Sequence, residues 1–248
     1  MESSNLLALL RNLRANTAAN RKDVQITARQ LAQGYFETLS SAPQRSRPYF
    51  SATRIGTPPV DPFGRRKEER LAMAWFKVGN IDADGKKFKI LDYQFPLKST
   101  NADTGIGKVD LLAQSETDKC LAVIELKVGS NREDRRIAVL EGLIYSAIVE
   151  ANAQVVVQQL STVKGIIAKS SRPKILIVAP SAYWASGIPS QTEIQALVEQ
   201  LQSAIPIEIS LLKYEVDEDQ DYGLSGQFQA SGLDGNDPRS TPIALYRV

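Results

Sequence analysis

Asp110, Glu125 and Lys127 are the residues whose types and spacing could do chemistry. Asp110 sits in Gly107-Lys108-Val109-Asp110-Leu111-Leu112, and the other two in Cys120-Leu121-Ala122-Val123-Ile124-Glu125-Leu126-Lys127. Two carboxylates and an amine are thus embedded in apolar runs that read as buried strands. An ordinary core strand has no reason to carry them, because unpaired buried charge is costly or neutralises itself through a pKa shift. A divalent cation is the simplest compensation, and such an ion brings hydrolytic chemistry with it.

The polar run Gln114-Ser115-Glu116-Thr117-Asp118-Lys119 is short enough for a hairpin. If the hairpin turns symmetrically about Thr117 and Asp118, Asp110 stands opposite Glu125, with Cβ atoms about 4.5–5.5 Å apart and like charges facing each other. Glu125 and Lys127, two apart, share one face of their strand, while Ile124, Leu126 and Val128 take the other. The three ionisable groups therefore converge. A slip of one residue would turn Asp110 to the wrong face, so convergence is an expectation about register.

At these residues the chain resembles the PD-(D/E)XK nuclease superfamily, with Asp110 followed by Glu125-Leu126-Lys127, each in an apolar strand, and Val109 where the family name has proline. The resemblance covers residues 64 to 180 and implies a restriction-endonuclease-like α/β fold, an αβββαβ core whose central mixed sheet is flanked by helices. It implies Asp110 and Glu125 as ligands of Mg²⁺ or Mn²⁺, with the Leu126 carbonyl as a further ligand. It also implies an acidic residue on the helix before the sheet, which falls on Glu68 or Glu69. Lys127 would orient the attacking water and stabilise developing charge, its own pKa lowered by the cation. RecB-like members carry Gln and Tyr four apart on the helix after the lysine strand. Glu141 and Tyr145 have that spacing, so the tyrosine matches and the glutamine does not. The expected activity is metal-dependent phosphodiester hydrolysis, first as a DNA endonuclease. The alternative is a non-cleaving nucleic-acid-binding or interaction subunit of a restriction or repair assembly. The partner is nucleic acid, DNA first, with a homodimer or a larger nuclease assembly both open.

Composition removes competing chemistries. With no histidine and one cysteine, histidine-based catalysis, zinc sites and an intrachain disulfide framework are excluded. Oxygen-ligated hard cations remain. A 43% hydrophobic, 23% charged chain of 248 residues is ordinary for a globular protein with a sizeable core. No apolar run is long enough to span a membrane, and the order of charge at the N-terminus is the reverse of a secretory signal, so a cytoplasmic protein is expected. The first 70 residues hold 12 Lys and Arg against 6 Asp and Glu, and the remainder 18 against 22. That basic front either follows a phosphate backbone or is a set of solvated helix faces. Arg65, Arg66, Lys67 and Arg70, with Lys108 and Tyr145, are the nucleic-acid-binding candidates.

Several elements must position these groups. Residues 1–50 read as an N-terminal helical extension, with helices between Ser4 and Ser41 broken near residues 15–23. Residues 51–216 read as the nuclease-like core and 217–248 as a loop-rich C-terminal segment ending in a strand over 243–248. Within the core the pattern predicts a helix from Arg65 to Lys77, a turn at Ile81–Gly85 and a strand from Phe88 to Phe95. After the hairpin come a helix from Arg132 to Asn152, a strand from Lys174 to Ala179, a helix from Thr192 to Ala204 capped by Thr192, and a strand within Ile205–Val216. Rival motifs fail. Gly105-Ile106-Gly107-Lys108 lacks the first glycine and the hydroxyl residue of a phosphate loop, and Asp82-Ala83-Asp84-Gly85 lacks the later ligands of a calcium loop. Asp217-Glu218-Asp219-Gln220-Asp221 reads as a solvated loop, and Trp75 and Trp184 as core.

Overall fold

The computed structural model describes residues 5–16, 24–46, 48, 50, 67–97, 107–129, 133–215 and 243–248. The expectations for Arg65, Arg66, most of the proline-rich stretch and the acidic loop lie outside these residues. Helices α1 (Leu6–Ala15) and α2 (Ala28–Ser41) begin at side-chain caps. Asn5 accepts from the Leu7 and Ala8 amides, and Thr27 forms a reciprocal capping box with Gln30. Helix α3 (Lys67–Val78) leads into β1 (Asn80–Ala83) and β2 (Lys86–Pro96). The residues of chemical interest lie on β3 (Lys108–Ser115), β4 (Cys120–Leu126) and α4 (Arg135–Ala151). Then follow α5 (Ala153–Lys164), β5 (Lys169–Pro180), α6 (Ser181–Ser186), α7 (Gln191–Ala204), β6 (Ile209–Tyr214) and β7 (Ile243–Arg247).

The sheet is mixed and closes on itself in the order β1-β2-β3-β4-β5-β6-β7. Strands β2, β3 and β4 are antiparallel neighbours, whereas β4, β5 and β6 run parallel. The expected flanked central sheet is thus corrected to a closed barrel. Closure comes from β7, which lies antiparallel to β6 and parallel to β1. All seven strands send apolar side chains into one cluster, from Ile81 and Phe88 through Leu111, Ile124, Val178 and Leu212 to Leu245, joined by Leu71, Ala74 and Trp75 of α3. A second core covers the outer face, where Val123, Ile175 and Ile177 meet α4, and α1, α2 and α7 pack around it. Helix α4 is buried along nearly its whole length.

Local departures have local causes. Residues Ile81–Ala83 form a strand rather than a turn, because the reversal is confined to Asp84 and Gly85, both at positive φ. Helix α5 follows α4 across a bend at Asn152, and α7 is capped by Ser190 with Glu193 instead of Thr192. Among the described residues no single helix is long and apolar enough to cross a membrane. The α4–α5 pair reaches that length only with a 76° bend, and α4 is a core helix.

Candidate active site

The β3–β4 ladder pairs Leu111 with Ile124, Leu112 with Val123 and Ala113 with Ala122, the register that sets Asp110 across from Glu125. The paired register ends at Leu111 and Ile124. The Asp110 carboxylate takes over, its Oδ2 accepting from the Leu126 amide at 2.9 Å. On the other side of β3, a β-bulge between Ile90 and Asp92 shifts the β2 register by one, so that Gln94 lies between the pairs Tyr93–Leu111 and Phe95–Val109, opposite Asp110. Gln94 Nε2 donates to Asp110 Oδ1 at 2.8 Å, from a backbone held at φ 45°, a conformation disfavoured for a residue with a Cβ. One row of side chains therefore runs Gln94, Asp110, Glu125 across three strands.

Lys127 follows the end of β4. Its amide donates to the Val178 carbonyl at 2.8 Å and its carbonyl accepts from the Tyr214 hydroxyl at 3.0 Å, which fixes the backbone. Its Nζ donates to Glu125 Oε1 at 3.0 Å and to Glu141 Oε2 at 2.9 Å, and lies 3.2 Å from Glu133 Oε2. Glu141 reaches in from α4, and its Oε1 accepts from Arg14 Nη2 of α1. The side chains of Glu125, Lys127 and Glu141 are 5%, 4% and 6% exposed, whereas Arg14 is 51% exposed. Glu125 Oε2 is buried and has no hydrogen-bond partner.

The electrostatics follow from that burial. Asp110 is pushed up to about 7 by desolvation, against the pull of the Leu126 amide and Lys127. Glu125 is raised by burial and then by Glu141. Burial opposes the Lys127 charge, but Glu125, Glu141, Glu68 and Glu133 outweigh it and hold the ammonium well above its ordinary value. Burial also opposes the Glu141 charge, yet Lys127 and Arg14 bring its carboxyl below the ordinary value. Tyr145 is raised by desolvation and by Glu125, Glu141 and Asp110, so it borders the cluster.

No family model, curated protein or solved structure matches the chain. Its own geometry must carry the assignment of roles. Among the described residues no group of three or more carboxylates stands ready as a metal cage. The physical reason is plain, since the Lys127 ammonium already sits among Glu125, Glu133 and Glu141.

The structure brings Asp110, Glu125 and Lys127 together. Of the two helix acids, Glu68 acts electrostatically on both Asp110 and Lys127. Glu69 does not figure among the main influences on either. The Leu126 contact seen is through its amide. Lys108 is exposed beside the site, and Lys67 is half-buried. Arg70 is buried. Tyr145 is also buried, and a Cβ on Gly107 would overlap its hydroxyl, so it packs against that part of the chain. Sequence reasoning missed Arg14, Gln94 and Glu133. It also gave Glu141 too little weight, although an acid facing the inner side of an apolar helix was a signal.

Proposed function

We propose that this chain is a metal-dependent nuclease that hydrolyses phosphodiester bonds, with DNA as the first substrate class. The observation that carries the reading is the convergence of the buried Asp110 and Glu125 carboxyls, both made reluctant to ionise by burial, with Glu125 Oε2 lacking a fixed donor and the Glu141 carboxyl beside it. Such oxygens favour a small hard cation over any neutral ligand. Supporting it is the succession α3, β2, β3, β4, α4, β5, which follows the αβββαβ order of a restriction-endonuclease-like core, with β1, β6 and β7 as additions that close the sheet.

Asp110 and Glu125 would hold Mg²⁺ or Mn²⁺, with the Leu126 carbonyl and Glu68 as further oxygen donors. When bound, the ion supplies Lewis acidity toward the scissile phosphate and toward water. Gln94 and the Leu126 amide fix the Asp110 carboxylate through both oxygens, so its orientation is set before substrate arrives. Lys127, a full ammonium, donates to the attacking water and to the phosphate oxygens as charge builds on them. Glu141 and Glu133, with Glu125, hold that ammonium and keep it protonated.

A second reading has its own observation. Lys127 already engages Glu125, Glu133 and Glu141, so the same core could serve as a nucleic-acid-binding module that does not cut. Incubating plasmid, single-stranded DNA and RNA with wild type, Asp110→Ala and Lys127→Ala, with Mg²⁺, Mn²⁺ or chelator, separates the two. Metal-dependent cutting lost in both variants is expected. Cutting that is equal in all three proteins defeats the mechanism, and tight binding without scission favours the second reading.

A further inference from the structure

We infer that Arg14 is a phosphate-binding residue of this site, delivered by helix α1 from outside the αβββαβ run; the inference rests on the nuclease reading and deepens it. Helix α1 is anchored by Leu6, Leu10 and Leu13, all buried, and packs on α4. Arg14 follows in the last turn, and its guanidinium reaches Glu141 across 127 residues of sequence. Glu141 cannot follow Arg14 into solvent, because its other oxygen is held by Lys127 at 2.9 Å. The guanidinium is therefore pinned at the rim of the cluster while half its surface faces solvent.

Charge gives the reason for such a residue. Arg14 meets the cluster through Glu141, whose Lys127 partner also engages Glu125 and Glu133, and the acids that stay ionised there repel a phosphodiester as they would any anion. A cation at the rim offsets that repulsion where the substrate must enter. Guanidinium suits this role because its planar fork carries five donors, and Glu141 takes up one side of it, leaving others for phosphate oxygens. In this arrangement Glu141 positions Arg14, and the N-terminal helices become part of the site instead of an appendage to it.

The test uses the full chain with a fluorescent DNA duplex. Binding is measured as a function of salt with Ca²⁺ in place of Mg²⁺, and cleavage kinetics are measured with Mg²⁺, for wild type, Arg14→Gln, Arg14→Ala and Arg14→Lys. Arg14→Gln keeps a donor for Glu141 and so guards against loss of folding, which circular dichroism checks. The expected result for Arg14→Gln and Arg14→Ala is a KM raised about tenfold with kcat changed far less, the loss of one charge-assisted contact. The slope of log affinity against log salt becomes shallower by about one, and Arg14→Lys restores the slope. A wild type that cuts, with KM and salt slope unchanged in folded Arg14→Gln, overturns the role of Arg14 and leaves the nuclease reading standing. A wild type that neither binds nor cuts DNA or RNA removes the nuclease reading and this inference with it.

Discussion

Two lysines of this molecule sit among carboxylates at opposite ends of the same strands, and their surroundings differ. Lys174 of β5 lies 2.5 Å from Glu208 and 3.0 Å from Asp118 in the β3–β4 turn, with Lys86 on the other Glu208 oxygen at 2.8 Å. Those carboxylates are partly exposed. Burial opposes their charge, but hydrogen bonds and the lysines together outweigh it, and both Asp118 and Glu208 are held below their ordinary values. At the other end, Lys127 meets Glu125 and Glu141 with almost no solvent, and Asp110 and Glu125 are driven upward despite the ammonium. The same residue types thus make a settled surface network in one place and an under-compensated anionic cluster in the other. Solvent decides between them: desolvation grows with burial faster than one lysine can repay several carboxylates. The surface network is satisfied by its lysines, whereas the buried one leaves Asp110 and Glu125 reluctant to ionise.

The comparison breaks most sharply on activity. Lys127→Ala is expected to lower the cleavage rate by about a thousandfold, as for removal of a preorganised donor at a reacting phosphate, while Lys174→Ala leaves it unchanged. Initial rates on plasmid read both, and comparable losses would erase the distinction. Next in size is Gln94→Asn, which keeps a residue tolerant of positive φ but shortens the amide that holds Asp110. Mn²⁺ affinity by calorimetry should fall roughly tenfold, the usual cost of losing a partner that orients a ligand. An unchanged affinity would make the Gln94 conformation a matter of the bulge alone.

Stability against pH sharpens the contrast because Asp110 shifts in the opposite direction from Asp118 and Glu208. Asp110 titrates higher in the folded chain than in the unfolded one. Its contribution is therefore fully present below its unfolded pKa of about 3.9 and is lost as pH rises through about 7. Asp118 and Glu208 titrate lower when folded, so theirs is present above the unfolded values and is lost in acid. Melting curves of metal-free protein should decline toward about pH 8, and Mn²⁺ should remove that decline. Combining Asp118→Asn with Glu208→Gln should flatten only the acid side. The smallest effect is Lys174→Ala at neutral pH, a loss of about 1 kcal/mol or less in urea denaturation.

Much of the buried cluster is legible in the sequence. A near-symmetric turn suffices to set Asp110 against Glu125, although β4 is buried on both faces and its apolar pattern alone does not choose the register. The apolar stripe of α4 marks the core helix. What escapes a reading of local pattern depends on long-range contact or irregularity. Gln94 faces Asp110 only because the β2 bulge moves the register, and nothing in Ile90-Leu91-Asp92 announces a bulge. Arg14 meets Glu141 through the packing of α1 on α4, which leaves no trace in local pattern. Barrel closure joins β1 to β7 in parallel, pairing Ile81 with Ile243, and no short-range signal encodes that. The strand β1 is brief and abuts a turn, so the turn residues mask it.

Calorimetric titration of Mn²⁺ into metal-free wild type and Glu125→Gln tests most directly whether the buried cluster takes a cation. The expected result is one saturable site per chain in wild type, weakened at least about tenfold in Glu125→Gln, since an amide is a poorer ligand for a hard ion. Equal binding by the two proteins, or none by wild type, would contradict it and leave Lys127 as the permanent counter-ion of a structural cluster.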